Sequence, residues 1–145
     1  MTTIRSARVQ GASRLLISGL RDAASVEVLV SKIIDCCGKA GGRAGRVTVT
    51  PSAGDHCWAP ADLDRIVAEV CPVLESGDRV LIHCNSGRSR SSTAAAAVLL
   101  AMGLATTPDV ALAATTLESG RTTPHRRAVQ SLRDWWATKR QGQLF

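Results

Sequence analysis

Along the chain, short apolar runs alternate with stretches whose apolar residues recur at helical spacing. Leu15-Leu16-Ile17-Ser18 is compact and apolar and predicts a buried strand. Behind it, Val26, Leu29, Val30, Ile33, Ile34 and Cys37 share one helical face, which predicts a helix from about Asp22 to Cys37. Glycines from Gly38 to Gly45 mark a connection, and Arg46-Val47-Thr48-Val49-Thr50 then alternates as a half-buried strand that stops at Pro51. Leu63, Ile66, Val67, Val70 and Leu74 predict a second helix over Pro60 to Glu75, which Pro72 is expected to kink or end early. Arg79 to His83 reads as a third strand. The apolar run after Ser91 predicts a helix stopping at Gly103, Thr107-Pro108-Asp109 opens another, and a last one from Pro124 to Arg140 turns Val129, Leu132, Trp135 and Trp136 inward. This order predicts an α/β fold with a central, mostly parallel sheet flanked by helices, in which ligands gather at the carboxyl ends of the strands.

A length of 145 residues with 45% hydrophobic content suits one domain, residues 1–145, with a core of its own. The longest apolar run, Ala94 to Met102, is too short to span a bilayer, and no apolar leader follows Arg5, Arg8 and Arg14. A cytoplasmic chain without a membrane span is expected. Of the 18 basic residues 15 are arginine, and the formal charge of +6 points to an anionic partner. An aromatic content of 3% gives little support to nucleic acid as that partner. Five cysteines, odd in number and without a C-x-x-C pair, suggest neither a disulfide framework nor a zinc ribbon.

The chemistry concentrates in His83-Cys84-Asn85-Ser86-Gly87-Arg88-Ser89-Arg90-Ser91, between the third strand and the apolar helix. A bare Cys-x5-Arg is weak, since five cysteines and 15 arginines in 145 positions give about half such a pair by chance. The preceding His, the central Gly and the Ser after Arg make it far more specific. A thiol facing a helix N-terminus and a guanidinium is stabilised as thiolate, so Cys84 is the candidate nucleophile. The backbone N–H groups of Asn85, Ser86, Gly87, Arg88 and Ser89 form a nest for phosphate oxygens, with Gly87 allowing the tight turn and Arg90 holding two oxygens in a fork. Ser91 can donate a hydrogen bond to the sulfur, and His83 fixes the loop from behind.

This loop is similar to the phosphate-binding signature of the cysteine-dependent protein tyrosine phosphatase superfamily, and the chain resembles its compact, dual-specificity-like, bacterial-type branch. The match is specific over Val80 to Ser92 and suggestive from Val47 to Leu104. The resemblance implies hydrolysis of phosphomonoesters, on protein or other substrates, through a cysteinyl-phosphate, with neither metal nor cofactor. It also implies a general acid some thirty residues before the cysteine. Asp55, 29 positions before Cys84, lies in the loop ahead of the second helix, whereas Asp62 and Asp64 read as partners of that helix's N-terminus.

Substrate class stays open. Arg88 either adds charge at the pocket rim, as suits a phosphoinositide or other polyanion, or faces solvent. Trp58 either walls the pocket or packs beneath the loop. Arg121 with Thr122-Thr123-Pro124-His125 resembles the stretch near the end of compact phosphatases, and Arg126 and Arg127 either extend a basic rim or, the reading preferred here, form a solvated helix face. A catalytically idle phosphate-binding module is the competing class, and a metal site from His56-Cys57 and His83-Cys84 lacks ligand spacing. No G-x-x-x-x-G-K-[ST] is present to support a nucleotide-binding loop.

Overall fold

The computed structural model describes residues 6–9, 12–38, 45–85, 89–116 and 124–143. Its strands are β1 (Ser6–Val9), β2 (Ala12–Gly19), β3 (Lys32–Asp35), β4 (Arg46–Thr48) and β5 (Val80–Cys84). Its helices are α1 (Leu20–Glu27), α2 (Pro60–Glu75), α3 (Arg90–Ala101), α4 (Pro108–Thr116) and α5 (Arg126–Gln143). The sheet order is β1-β2-β5-β3-β4, with β2, β5, β3 and β4 parallel and β1 antiparallel at the edge of β2. The mostly parallel α/β reading therefore holds, and β1 is an edge strand that the apolar pattern did not announce.

One helix expected from sequence is corrected. The stretch from Asp22 to Cys37 is not a single helix: α1 ends at Glu27, and Ile33 and Ile34 belong to β3, inside the sheet. Leu29, assigned to the apolar helical face, is 55% exposed. The cause is the ambiguity of a short apolar run. Ile33 and Ile34 satisfy helical spacing with Val26 and Val30, but adjacent β-branched residues also suit a strand buried on both faces, and pairing with β5 and β4 settles the matter.

Pro72 is the second departure, because α2 runs past it to Glu75. Pro72 and Ala68 both lie on the exposed side of the helix, so the carbonyl that loses its N–H partner is left to water. Pro60 opens α2, and Asp62 in its first turn accepts the Ala59 N–H at 2.8 Å and the Ser52 N–H at 2.9 Å. Leu63, Ile66, Val70 and Leu74 form its buried face. The last turn of α5 reaches beyond Arg140, and α5 buries Leu132 and Trp135 while Val129 and Trp136 are half-buried.

Helix α3 is buried on every side from Ser91 to Leu100. Its four consecutive alanines, Ala94 to Ala97, let the sheet and helices α2, α4 and α5 approach it closely. Trp135 Nε1 donates to Asp64 Oδ1 at 2.9 Å and Lys139 pairs with the same oxygen at 2.7 Å, tying α5 to α2. Asp64 is thus a strut between helices. No helix among the described residues is long and apolar enough to cross a membrane.

Gly45, where the chain enters β4, has φ 84°, and a Cβ there would lie 2.6 Å from the Ser31 carbonyl oxygen. Gly45→Ala is expected to lower stability by about 1–3 kcal/mol from the left-handed backbone alone, with the collision in addition. The urea midpoint measures this, and an unchanged midpoint would refute it.

Candidate active site

Parallel pairing sets the site's position. β5 lies between β2 and β3 with Gly19 opposite Cys84 and Asp35 opposite His83, so the strand delivers Cys84 to the carboxyl edge of the sheet. The chain leaves through Asn85, whose carbonyl accepts the Leu20 N–H at 3.0 Å, and re-enters at Ser89 to begin α3. Ser86, Gly87 and Arg88 lie outside the described residues, as do Arg121, Thr122 and Thr123.

Cys84 is 1% exposed, and its Sγ sits 3.2 Å from the Ser91 Oγ, within hydrogen-bond range. Arg90 is the first residue of α3, with its Nη1 reaching to 3.5 Å from the Cys36 carbonyl. Ser89 is buried: its Oγ accepts the His125 N–H at 2.8 Å, and its carbonyl accepts both the N–H and the Oγ–H of Thr93 at 2.9 Å. The structure therefore gathers Cys84, Asn85, Ser89, Arg90 and Ser91 around the β5–α3 junction. The first N–H groups of α3 have no partner within the helix and face that same junction.

Behind the junction lies a charge network that sequence reasoning did not identify beyond His83. Arg46 on β4 donates through Nη1 to His83 Nε2 at 2.9 Å, lies 3.7 Å from Asp35 Oδ2, and pairs with Glu27. Asp35 is 1% exposed and its Oδ1 accepts the N–H groups of Cys37 and Gly38 at 3.0 and 2.8 Å. The Arg46 contact leaves the His83 ring neutral with its proton on Nδ1, a tautomer assigned from this hydrogen bond. Burial pushes the His83 pKa down and Arg46 pushes it further, against the opposing pull of Asp35. Burial works against the Asp35 charge, but the hydrogen bonds from Cys37 and Gly38 outweigh it and hold the carboxyl below its ordinary value. The only signal in the sequence was an aspartate next to the Ile33-Ile34 pair, in a stretch that reads as helix.

Ligand atoms of Asp35, Cys37 and His83 lie within 4.8 Å of one another, the spacing of a metal cluster. The donor set does not fit a cation, because the Arg46 guanidinium already occupies the His83 nitrogen and carries a fixed positive charge there. Nor do His56-Cys57 and His83-Cys84 share partners: His56 stacks on His125, while His83 turns to Arg46.

Cys36 follows Asp35 directly, with its N–H bonded to the His83 carbonyl at 2.8 Å, so the sheet register places it beside Cys84. Burial pushes its thiol pKa well up, and the neighbouring Cys84 and Asp35 add to this. It is held as a neutral thiol.

The loop between β4 and α2 carries Asp55, which is exposed. Asp62 is occupied by Ser52 and Ala59, and Asp64 by Trp135 and Lys139, which leaves Asp55 as the carboxylate of this region outside those structural contacts. Trp58 packs beneath the loop instead of walling a pocket: it is buried, its Nε1 donates to Thr93 Oγ1 at 2.8 Å and its N–H to Ser131 Oγ at 3.2 Å. His56 adopts φ 56° and its ring stacks on that of His125, centroids 4.5 Å apart and planes 4° from parallel. Arg126 and Arg127 are exposed on α5.

No family model and no curated protein matches the sequence. Solved structures do match. A mouse dual specificity phosphatase crystallised with zinc tungstate superposes with TM-score 0.83 at 21% identity, covering 98% of this chain and 92% of that one. Human DUSP28 gives 0.81 at 18% identity, with 96% and 97% coverage. PTPMT1 in complex with PI(5)P gives 0.81 at 17% identity, with 95% and 98% coverage. The chain has the fold of these dual-specificity phosphatases, and its β5–α3 junction carries the loop resemblance noted in the sequence.

Two outcomes follow from the buried network and from the His56 ring. Arg46→Ala leaves Asp35 and Glu27 without their cation and is expected to cost about 3–5 kcal/mol, read from urea unfolding. His83 and His56 both have pKa values below 6.5, so the unfolded chain binds more protons than the folded one as the pH falls through that value. Stability is complete above about pH 6.5 and declines below it, with Asp35 adding a further loss at lower pH. A thermal midpoint that stays level from pH 7.5 to 5 would contradict this.

Proposed function

We propose that this chain is a cysteine-dependent phosphomonoester hydrolase of the protein tyrosine or dual-specificity type, working through a cysteinyl-phosphate without metal or cofactor. The observation that carries the reading is the Cys84 Sγ and Ser91 Oγ pair, 3.2 Å apart at the end of β5, with Arg90 opening α3 beside it.

In the first displacement the Cys84 thiolate attacks phosphorus, the P–O bond to the leaving group breaks, and Asp55 protonates the departing oxygen. Arg90 and the N–H groups of the loop from Asn85 to Ser89 hold the three equatorial oxygens, where charge develops. In the second displacement Asp55, now a base, takes a proton from water, which attacks phosphorus and expels the Cys84 sulfur. The Ser91 hydroxyl stabilises the sulfur as it leaves by donating to it. His83 carries no proton in either step, since its Nε2 is committed to Arg46. It anchors the base of the loop.

Burial of Trp58 bears on the substrate. With Trp58 under the loop and no tyrosine in the chain, the wall that Trp58 was a candidate to supply for a phosphotyrosine ring is taken up in packing. This favours, as a second reading, a phosphorylated polyanion, and the fold is shared with a PTPMT1 complex that holds PI(5)P. Arg88 would then add charge at the rim. A reducing, cytoplasmic setting suits a chain whose five cysteines are all free thiols.

The test is hydrolysis of an aryl phosphate in the presence of a chelator. Cys84→Ser is expected to abolish turnover, Arg90→Lys to reduce kcat/KM by about 100-fold or more through loss of the fork, and Asp55→Asn to reduce kcat by about 100-fold or more. Full activity in Cys84→Ser would end the proposal. Inactive but folded wild type that binds inorganic phosphate through Arg90 would make the chain a binding module.

A further inference from the structure

The stacked rings of His56 and His125 connect two segments that both reach the start of α3. His56 follows Asp55 in the loop before α2, and His125 stands at the entrance to α5. The His125 backbone N–H bonds the Ser89 Oγ at 2.8 Å, which attaches it to the residue immediately before Arg90. The same Asp55-bearing loop is fixed from below by Trp58, whose Nε1 reaches Thr93 Oγ1, itself bonded to the Ser89 and Arg90 carbonyls. Both anchors of the loop therefore end on the first turn of α3.

We propose that the His56–His125 stack is a positioning element that holds the Asp55 loop against the start of α3, and that it does so only while the two rings are not both protonated. The inference rests on the reading of Asp55 as the general acid.

Geometry constrains the rings. His56 holds a left-handed backbone that a residue with a Cβ adopts rarely, so the conformation depends on what its side chain meets. The His125 Nδ1 accepts the Arg127 N–H at 3.1 Å, capping α5, which places its ring proton on Nε2. Parallel rings 4.5 Å apart are compatible when neutral, and two imidazolium rings at that separation repel. The charged groups around His56 are His125 from the start of α5, Arg90 from α3 and Asp55 on its own loop, with Arg126 and Arg127 following His125. Burial, His125 and Arg90 all lower its pKa, and Asp55 opposes them. Neutral pH thus finds the stack closed.

Two substitutions separate the stack from the helix cap. His125→Asn keeps an acceptor for the Arg127 N–H but removes the ring, and His125→Phe keeps a flat ring but removes both the acceptor and the ring nitrogens. With an aryl phosphate between pH 5 and 8, His125→Asn is expected to lower kcat roughly tenfold to a hundredfold with KM within about twofold, the pattern of a displaced catalytic group. His125→Phe should retain kcat near the wild-type value at pH 7 and lose less activity than wild type toward pH 5. Wild-type kcat in His125→Asn, or equal losses in both variants, would overturn the proposal. Titration of the His56 ring by NMR supplies a readout independent of turnover: its pKa should rise in His125→Asn, and an unchanged value also overturns the stack's role. If wild type is inactive, the phosphatase reading fails while this titration still judges the stack.

Discussion

The site depends on the parallel pairing of β5 between β2 and β3, which ends at Cys84. Pairing on both sides fixes the strand's register, and because side chains alternate across a sheet, a slip of one residue would turn each of Cys84 and His83 to the face the other now occupies. The hydrogen bond from Cys36 N–H to the His83 carbonyl and that from Leu20 N–H to the Asn85 carbonyl continue this constraint to the last residues before the loop. The thiol's place at the sheet edge is therefore set by backbone bonds, independent of any bound ligand.

Charge is organised in two layers around that edge. Beneath it, Glu27, Arg46, His83 and Asp35 balance one another in the interior, with Asp35 also holding the turn at Cys37 and Gly38. Above it, Arg90 and the first turn of α3 present positive potential to the junction. His83 separates the layers as a neutral ring. Were it a cation, it would be buried against Arg46 and would lose the Arg46 hydrogen bond, so burial and the Arg46 contact that lower its pKa also suit it to its role as anchor.

Much of this was legible from residue order. The run Val80-Leu81-Ile82 and the alanines of α3 identify strand and buried helix because each composition suits one backbone state. Asp62 and Asp64 read as partners of the α2 N-terminus; the structure gives Asp62 that work, while Asp64 bonds Trp135 and Lys139 of α5 instead. What was not legible depends on partners distant in sequence. Ile33 and Ile34 look helical until β4 and β5 are placed beside them. Arg46 looked like the polar half of an alternating strand, and nothing local announces that it reaches His83, 37 residues away. The stack of His56 on His125 likewise joins two segments with no shared pattern.

The alanines of α3 carry a consequence for chemistry as well as packing. Large side chains at Ala94 to Ala97 would hold neighbouring elements away and admit water along the helix. With four small residues the helix is enclosed by the sheet, α2, α4 and α5, and its N-terminal turn opens in a region where solvent screening is weak. A helix terminus and a guanidinium act more strongly on a thiol under those conditions than at an exposed surface. The same enclosure explains why Ser91 can lie fully buried: a hydroxyl in that setting needs a polar partner, and the Cys84 sulfur, 3.2 Å away, supplies one.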